Sequence, residues 1–261
     1  MWFGATAIIA GALLAMYGVA AWWTVWAPGK PGGLAAGTGA AILFVVDGLY
    51  ALRRPLMSWP FGTAQRWLQF HVYGGVMACL LVVVHTGFSW PGGQFGWWLL
   101  GLTLWTTISG LIGVWLQKFI PLLIVGNLSV EAIYERIPEL VGRLQAEADK
   151  VIEGSSEILE RTYLSDIRPQ LSGVNTSWSH LFDFRRARDE RLRPLRHVAQ
   201  FLNEDERGRL TDLTAIFTEK TELDIQFTLQ QVLRQWKAIH VPPSALLLAL
   251  MVVHIVSVVY F

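Results

Sequence analysis

The stretch 71–85, HVYGGVMACLLVVVH, is an apolar run of helix length with a histidine at each end, and its reading decides the fold. A second run at 240–254, HVPPSALLLALMVVH, repeats the arrangement at the same separation. Fourteen residues along an α-helix advance about 21 Å and stop roughly 40° short of four whole turns, so both imidazoles of a run share one helix face. Polar groups at membrane depth are costly and usually functional, so the four imidazoles call for one common explanation.

The bilayer is the expected solvent. The chain of 261 residues is 53% hydrophobic and only 16% charged, with a mean hydropathy of +0.40, which places it in the membrane class. A span needs roughly 20 apolar residues, and five stretches qualify: about 4–26, 34–52, 67–88, 96–117 and 241–260. The first lacks a basic leader and exceeds the apolar part of a secretory signal, so it is expected to stay as a helix. Trp22, Trp23, Trp26, Trp59, Trp67, Trp90, Trp97, Trp98 and Trp115 fall mostly at span ends, where an amphipathic ring suits the headgroup layer.

Net charge is +1 but unevenly spread: the first 117 residues hold Lys30, Arg53, Arg54, Arg66 and one acid, Asp47. Nearly all other charge lies in 118–239, where apolar positions recur at helical spacing in VEAIYERIPELVGRLQAEADKVI (130–152) and DLTAIFTEKTELDIQFTLQQVLRQW (212–236). The expected fold is an all-α integral membrane protein. Residues 1–117 supply four spans, 118–239 a helical extramembrane domain, and 240–261 a fifth span that completes a haem-binding bundle. SGVNTSWS (172–179) reads as a break, and Asn203 as an N-cap. The loop RRPLMSWPFGTAQR (53–66) is basic, Lys118 follows the fourth span, and TGFSWPGGQFG (86–96) is uncharged. Positive charge marks the cytoplasmic side. That rule puts the N-terminus and helical domain in the cytoplasm and the C-terminus in the periplasm of a bacterial inner membrane, with Lys30 the contrary charge. The single cysteine, Cys79, excludes disulfides, thiolate clusters and covalent c-type haem from this chain alone.

Spans three and five start on the same side of the membrane, because an even number of crossings separates them, and so run parallel. Packed together, they bring His71 to His240 at one level and His85 to His254 at the other, which is bis-histidine haem ligation twice over. One small ion cannot use all four, since its ligands lie within about 2 Å of it. Separate two-ligand zinc or copper sites would need donors beyond Asp47 and Cys79. Gly75, Ala78 and Val82 form a small strip on the face of the first pair, with room for a macrocycle, and Ser244, Leu247 and Met251 the corresponding strip on the fifth span. Gly101, Gly110 and Gly113 on the fourth span would admit a close helix.

His71/His85 and His240/His254 look like the paired ligands of the dihaem cytochromes b of bc-type complexes. The membrane domains of ferric reductases and NADPH oxidases are similar, with ligands also on their third and fifth spans. The resemblance covers two helices and rests on the spacing. It implies two b-type haems and electron transfer across the bilayer. This chain departs from those families in its long polar insertion before the last ligand helix, in the orientation that the charge rule gives, and in having no flavin or nicotinamide domain after the last span. The families' quinone pockets therefore do not transfer.

Such a chain is expected to be the membrane electron-transfer subunit of an oxidoreductase complex, with lipid around it and quinone or quinol as mobile partner. A separate redox subunit, a c-type cytochrome or iron-sulfur protein, is expected at the other face. Arg66 and Lys237 are candidates to pair with propionates of the inner haem, together with Arg53, Arg54, Lys118 and Arg234. Asp47 is a candidate proton donor or acceptor for a quinone, alongside a structural ion pair with Arg53 or Arg54. His180 and His197 lack companions at ligand spacing, and the run RRARDERLRPLRH (185–197) reads as a solvated or docking face rather than one for nucleic acid. The rival expectation is a proton-coupled transporter or channel with a His/Asp relay, whose sign would be broken spans; only HVPP (240–243) resembles one.

Overall fold

The computed structural model describes residues 2–52, 63–127, 133–176 and 199–260. Arg53, Arg54, Trp59, His180, His197 and the run 185–197 lie outside the described residues. The regular structure of the described residues is all helix, with no strand among them, and five of the helices are long and apolar enough to cross a membrane. These begin with α1 (Trp2–Trp23), α2 (Pro31–Gly48, extended by a 3₁₀ turn Leu49–Leu52), α3 (Ala64–His85) and α4 (Gln94–Asn127). After α5 (Ile137–Ile152), α6 (Glu157–Thr162), a π turn (Tyr163–Ile167) and α7 (Arg168–Leu171), α8 (Glu204–Tyr260) supplies the fifth. The chain forms two compact units, one of 1–115 with 236–261 and one of 116–235.

In the first unit, the apolar helices turn large side chains outward: Ile8, Met16, Trp22, Ile42, Trp98, Leu111 and Val259 are all exposed. A helix apolar all round is at rest in lipid rather than water. The interior contacts are made by small residues. Gly33, Ala36, Ala40 and Asp47 are the buried positions of α2, and α2 lies antiparallel to α3, Gly37 opposite His85 and Asp47 opposite Gly74.

Each helix end has a local cause. Pro31 at the first turn of α2 has no N–H to leave unsatisfied. Thr63 caps α3, its hydroxyl accepting from the Arg66 amide at 3.3 Å. The other end of α3 is closed by a Schellman motif, Phe88 N–H donating to Val83 O and Gly87 N–H to Val84 O, each at 3.0 Å. Gly87 takes the left-handed conformation at φ 61° that this closure requires. The Trp26 indole also donates to Val84 O, at 2.7 Å. His85 is thereby held in a last turn whose carbonyls are occupied.

The helix that carries the last span begins well before 241. Helix α8 runs unbroken through Pro242 and Pro243, so HVPP is no break. Each proline removes an amide, and Pro243 leaves the Ile239 carbonyl without its helical donor. The Trp105 indole of α4 fills the vacancy, donating to Ile239 O at 3.3 Å, which is how a proline persists in a helix among apolar neighbours. Helix α4 likewise runs on past 117, to Asn127, with Pro121 inside it.

In the second unit, Ile137, Val141, Leu144, Ala148 and Ile152 form one face of α5 and pack on Leu159, Tyr163, Ile167, Leu171, Leu213 and Phe217. The amphipathic pattern predicted this face. Asn203 does cap α8, in a reciprocal box: Glu206 N–H donates to Asn203 Oδ1 at 2.9 Å, and Asn203 N–H to Glu206 Oε2 at 3.3 Å. Lys220 and Asp224 form an ion pair of 2.6 Å, both side chains no more than 1% exposed. Asp149 accepts from Arg168 Nε at 3.0 Å and from the Tyr163 hydroxyl at 2.6 Å. The Arg168 guanidinium, then the Tyr163 hydroxyl, hold the Asp149 carboxyl below its usual range.

Lys220→Ala removes one partner of this buried ion pair, and is expected to destabilise the second unit by about 3–5 kcal/mol; thermal unfolding of the full chain in detergent measures it. The lowered Asp149 pKa stabilises the fold above the unfolded carboxylate value of about 3.9, and that contribution goes as pH falls through the folded value. The acid limb of a stability-versus-pH curve should therefore flatten in Asp149→Asn, and an unchanged limb would contradict the assignment.

Candidate functional site

Helices α3 and α8 bring the four histidines together in two pairs. The ring centres of His71 and His240 lie 6.4 Å apart with planes at 88°. Those of His85 and His254 also lie 6.4 Å apart, at 79°. The order is the same on both helices, so they run parallel, as the crossing count predicted. Rise along α3 puts the two levels about 21 Å apart.

At the first level, each ring is held by an aromatic neighbour. Tyr50, in the 3₁₀ turn after α2, stacks on His71 at 4.7 Å and 12°. Trp236, one turn before His240, stacks on it at 5.5 Å and 19°. The Trp236 indole donates to Ser109 O at 2.7 Å, and Ser109 Oγ lies 2.9 Å from His240 Nδ1. Helix α4 admits both rings because Gly110 and Gly113 carry no side chain: a methyl on Gly110 would sit 3.3 Å from His240 Cε1, and one on Gly113 would overlap the Trp236 ring. These two glycines serve the close approach expected of them. Gly101 does not, having open space beside it.

At the second level, His85 Nδ1 lies 2.8 Å from the Gly33 carbonyl oxygen. A carbonyl only accepts, so Nδ1 carries the proton and donates it, which in the neutral ring leaves the lone pair on Nε2. Gly37 makes room for this ring, since a methyl there would meet Nδ1 at 2.7 Å. Phe95 of α4 lies 6.2 Å from His254.

The Gly74–Gly75 step of α3 receives the Asp47 carboxyl. A methyl on Gly74 would be 2.6 Å from Asp47 Oδ1, and one on Gly75 3.4 Å from Oδ2. Gly75 thus packs against the second span's carboxyl, and the room read as space for a macrocycle holds Asp47 at that point. Ala78 is fully buried, as are Leu247 and Met251 on α8, while Ser244 turns its hydroxyl back to the His240 carbonyl at 2.7 Å. Asp47 is 6% exposed, and its Oδ1 has no hydrogen-bond partner among the described residues. Its expected partners Arg53 and Arg54 lie outside them. Arg66, in the first turn of α3, and Lys237, three residues before His240 within α8, are exposed. Arg234, in the second unit, is taken by Glu135 and lies 4.2 Å over the Tyr134 ring.

Sequence reasoning missed Ser109, Trp236, Tyr50, Gly33 and Gly37, the residues that orient the rings. Two signals were present: Trp236 precedes His240 by one turn on the same face, and Gly33/Gly37 have the spacing of a helix-contact stripe.

The pairs fit a metal held by two imidazoles. Linear ligation, with about 2 Å per metal–nitrogen bond and roughly 1.1 Å from nitrogen to ring centre, separates the ring centres by about 6.2 Å. A hydrogen bond between the rings would bring their centres closer. A free ion would want more donors, and no cluster of three or more His, Cys, Asp or Glu exists among the described residues; an iron porphyrin brings four of its own.

Gly113→Ala should destabilise the protein by about 1–3 kcal/mol through overpacking, whereas Gly101→Ala should be neutral or stabilise by up to about 1 kcal/mol, as alanine does in a helix; detergent-solubilised thermal midpoints compare the two. Compared with family models, curated proteins and solved structures, the chain matches none.

Proposed function

We propose that this chain is a membrane electron-transfer subunit holding two b-type haems, one between His71 and His240 and one between His85 and His254. The observation that carries the reading is the repeated 6.4 Å spacing of two perpendicular imidazole pairs on parallel helices. When bound, haem supplies reversible one-electron chemistry at its iron. The chain would hold each haem by one histidine pair, at two levels about 21 Å apart across a hydrocarbon core of roughly 30 Å and among apolar helices. The paired-histidine resemblance to dihaem cytochromes b supports the same reading.

The rest of the reading follows from charge and position. The basic span ends, Arg66 and Lys237 among them, favour the cytoplasmic side for the His71/His240 level and suit propionates there. The second unit, with its charged exterior, is then a cytoplasmic domain. Quinone or quinol is the mobile partner, and a c-type cytochrome or iron-sulfur protein exchanges electrons at the opposite face. Asp47, buried about one turn beyond His71, is placed to hold or release a proton for a quinone at that level. A transporter reading has less support, since α8 continues through Pro242 and Pro243.

Dithionite-reduced purified protein should show b-type absorption bands, and a colourless preparation with full-length chain would falsify the proposal. His85→Ala should halve the haem per chain and leave one b component, whereas retention of both would rule out this pairing. Asp47→Asn should slow quinol-driven reduction about tenfold or more with haem content intact, by loss of a proton-transfer group; turnover equal to the parent would remove Asp47 from the reaction.

A further inference from the structure

An imidazole that binds iron through one nitrogen must carry its proton on the other, so whatever faces Nδ1 decides whether Nε2 is available. At His85 the Gly33 carbonyl makes that choice. At His240 the group facing Nδ1 is the Ser109 hydroxyl, 2.9 Å away, and a hydroxyl can give or take a proton. Its surroundings decide. Ser109 Oγ also lies 3.3 Å from the Thr106 carbonyl, which can only accept. With the hydroxyl proton directed to Thr106 O, a lone pair faces His240, and Nδ1–H donates to it.

We infer that Ser109 is the positioning residue of the first-level haem: its hydroxyl holds His240 in the tautomer that presents Nε2 to iron, and tunes the electron donation of that ligand. The inference rests on the two-haem reading above. Three further contacts give the serine this role. Ser109 is 7% exposed, so water does not compete for the hydroxyl. Its own carbonyl accepts the Trp236 indole at 2.7 Å, and Trp236 stacks on His240, so a single residue governs both the proton and the rotation of the ring. Gly110 and Gly113 then leave the space into which both rings fit.

The chemical consequence has a sign. An N–H that donates a hydrogen bond gives its imidazole more anionic character, which favours ferric over ferrous iron and lowers the potential. Removing the acceptor should raise it. His85 makes the equivalent bond to a main-chain oxygen, which has no side chain to remove. The His240 bond is therefore adjustable through a serine side chain in a way that the His85 bond is not.

The test is an optical redox titration of the full haem-loaded protein in detergent, resolving the two b components, for the parent, Ser109→Ala and Ser109→Thr. In Ser109→Ala, one component should rise by up to a tenfold change in the Fe(III)/Fe(II) equilibrium, about 59 mV for one electron, with the other unmoved. Haem affinity at the same level should drop about tenfold, as for other outer-shell ligand partners. Ser109→Thr keeps the hydroxyl and should match the parent. If the alanine chain loses one haem outright, the threonine chain must still hold two; loss in both overturns the assignment. So do unmoved potentials in Ser109→Ala, equal shifts of both components, or a threonine chain displaced as far as the alanine one. A parent without b-type bands removes the two-haem reading itself, whereas a parent with two haems and an inert Ser109 removes only this inference.

Discussion

An imidazole in an apolar bundle has two nitrogens to satisfy and no water with which to do it. Everything else in the first unit is arranged around that requirement. One nitrogen of His85 is given to a main-chain oxygen, one nitrogen of His240 faces a hydroxyl, and the remaining edges of both pairs confront each other across 6.4 Å. With their centres that far apart the rings do not hydrogen-bond each other. Aligned in the same order on parallel helices, the rings meet in pairs and would be four separate costs apart.

Close helix approach is what delivers those rings. The contacts between α2 and α3 and between α4 and α8 rest on glycine, alanine and serine, because in lipid there is no hydrophobic drive between helices and packing depends on backbones coming near. The bulky residues face outward, where they are wetted by acyl chains. The same economy appears at Pro243: a helix that gives up an amide in this setting needs another donor for the orphaned carbonyl, and an indole from α4 provides it. Asp47 is the exception to the rule of satisfaction, a carboxyl seated on two glycines with one oxygen unpartnered among the described residues.

Much of this was legible in the residues alone. Span number, the parallel course of α3 and α8 and the meeting of both histidine pairs follow from hydropathy, crossing parity and a fourteen-residue spacing. Helix limits were less accessible. Tandem proline normally argues for a boundary, and nothing local to 240–243 announces that Trp105, more than a hundred residues away, supplies the missing donor. The supporting shell was also hidden, for a physical reason. Ser109, Gly33 and Gly37 belong to residue types that abound in any membrane helix, and only the fold brings one of the many to a ring nitrogen. Gly75 illustrates the converse, since its place on the histidine face is right while the group it accommodates at that point is a carboxyl from another helix.

The oxygen that holds His85 belongs to a peptide group, in the first turn of α2, just past the bend at residues 27–30. A substitution cannot remove that oxygen, but it can displace it: a methyl on Gly33 would lie 2.2 Å from the Ala27 carbonyl oxygen, and one on Gly37 2.7 Å from His85 Nδ1. A change in the length of the bend, rotating the start of α2 by about 100° per residue gained or lost, would also carry the oxygen away from the ring. One end of the pairing thus depends on a hydroxyl, and the other on two absent side chains and the length of a bend.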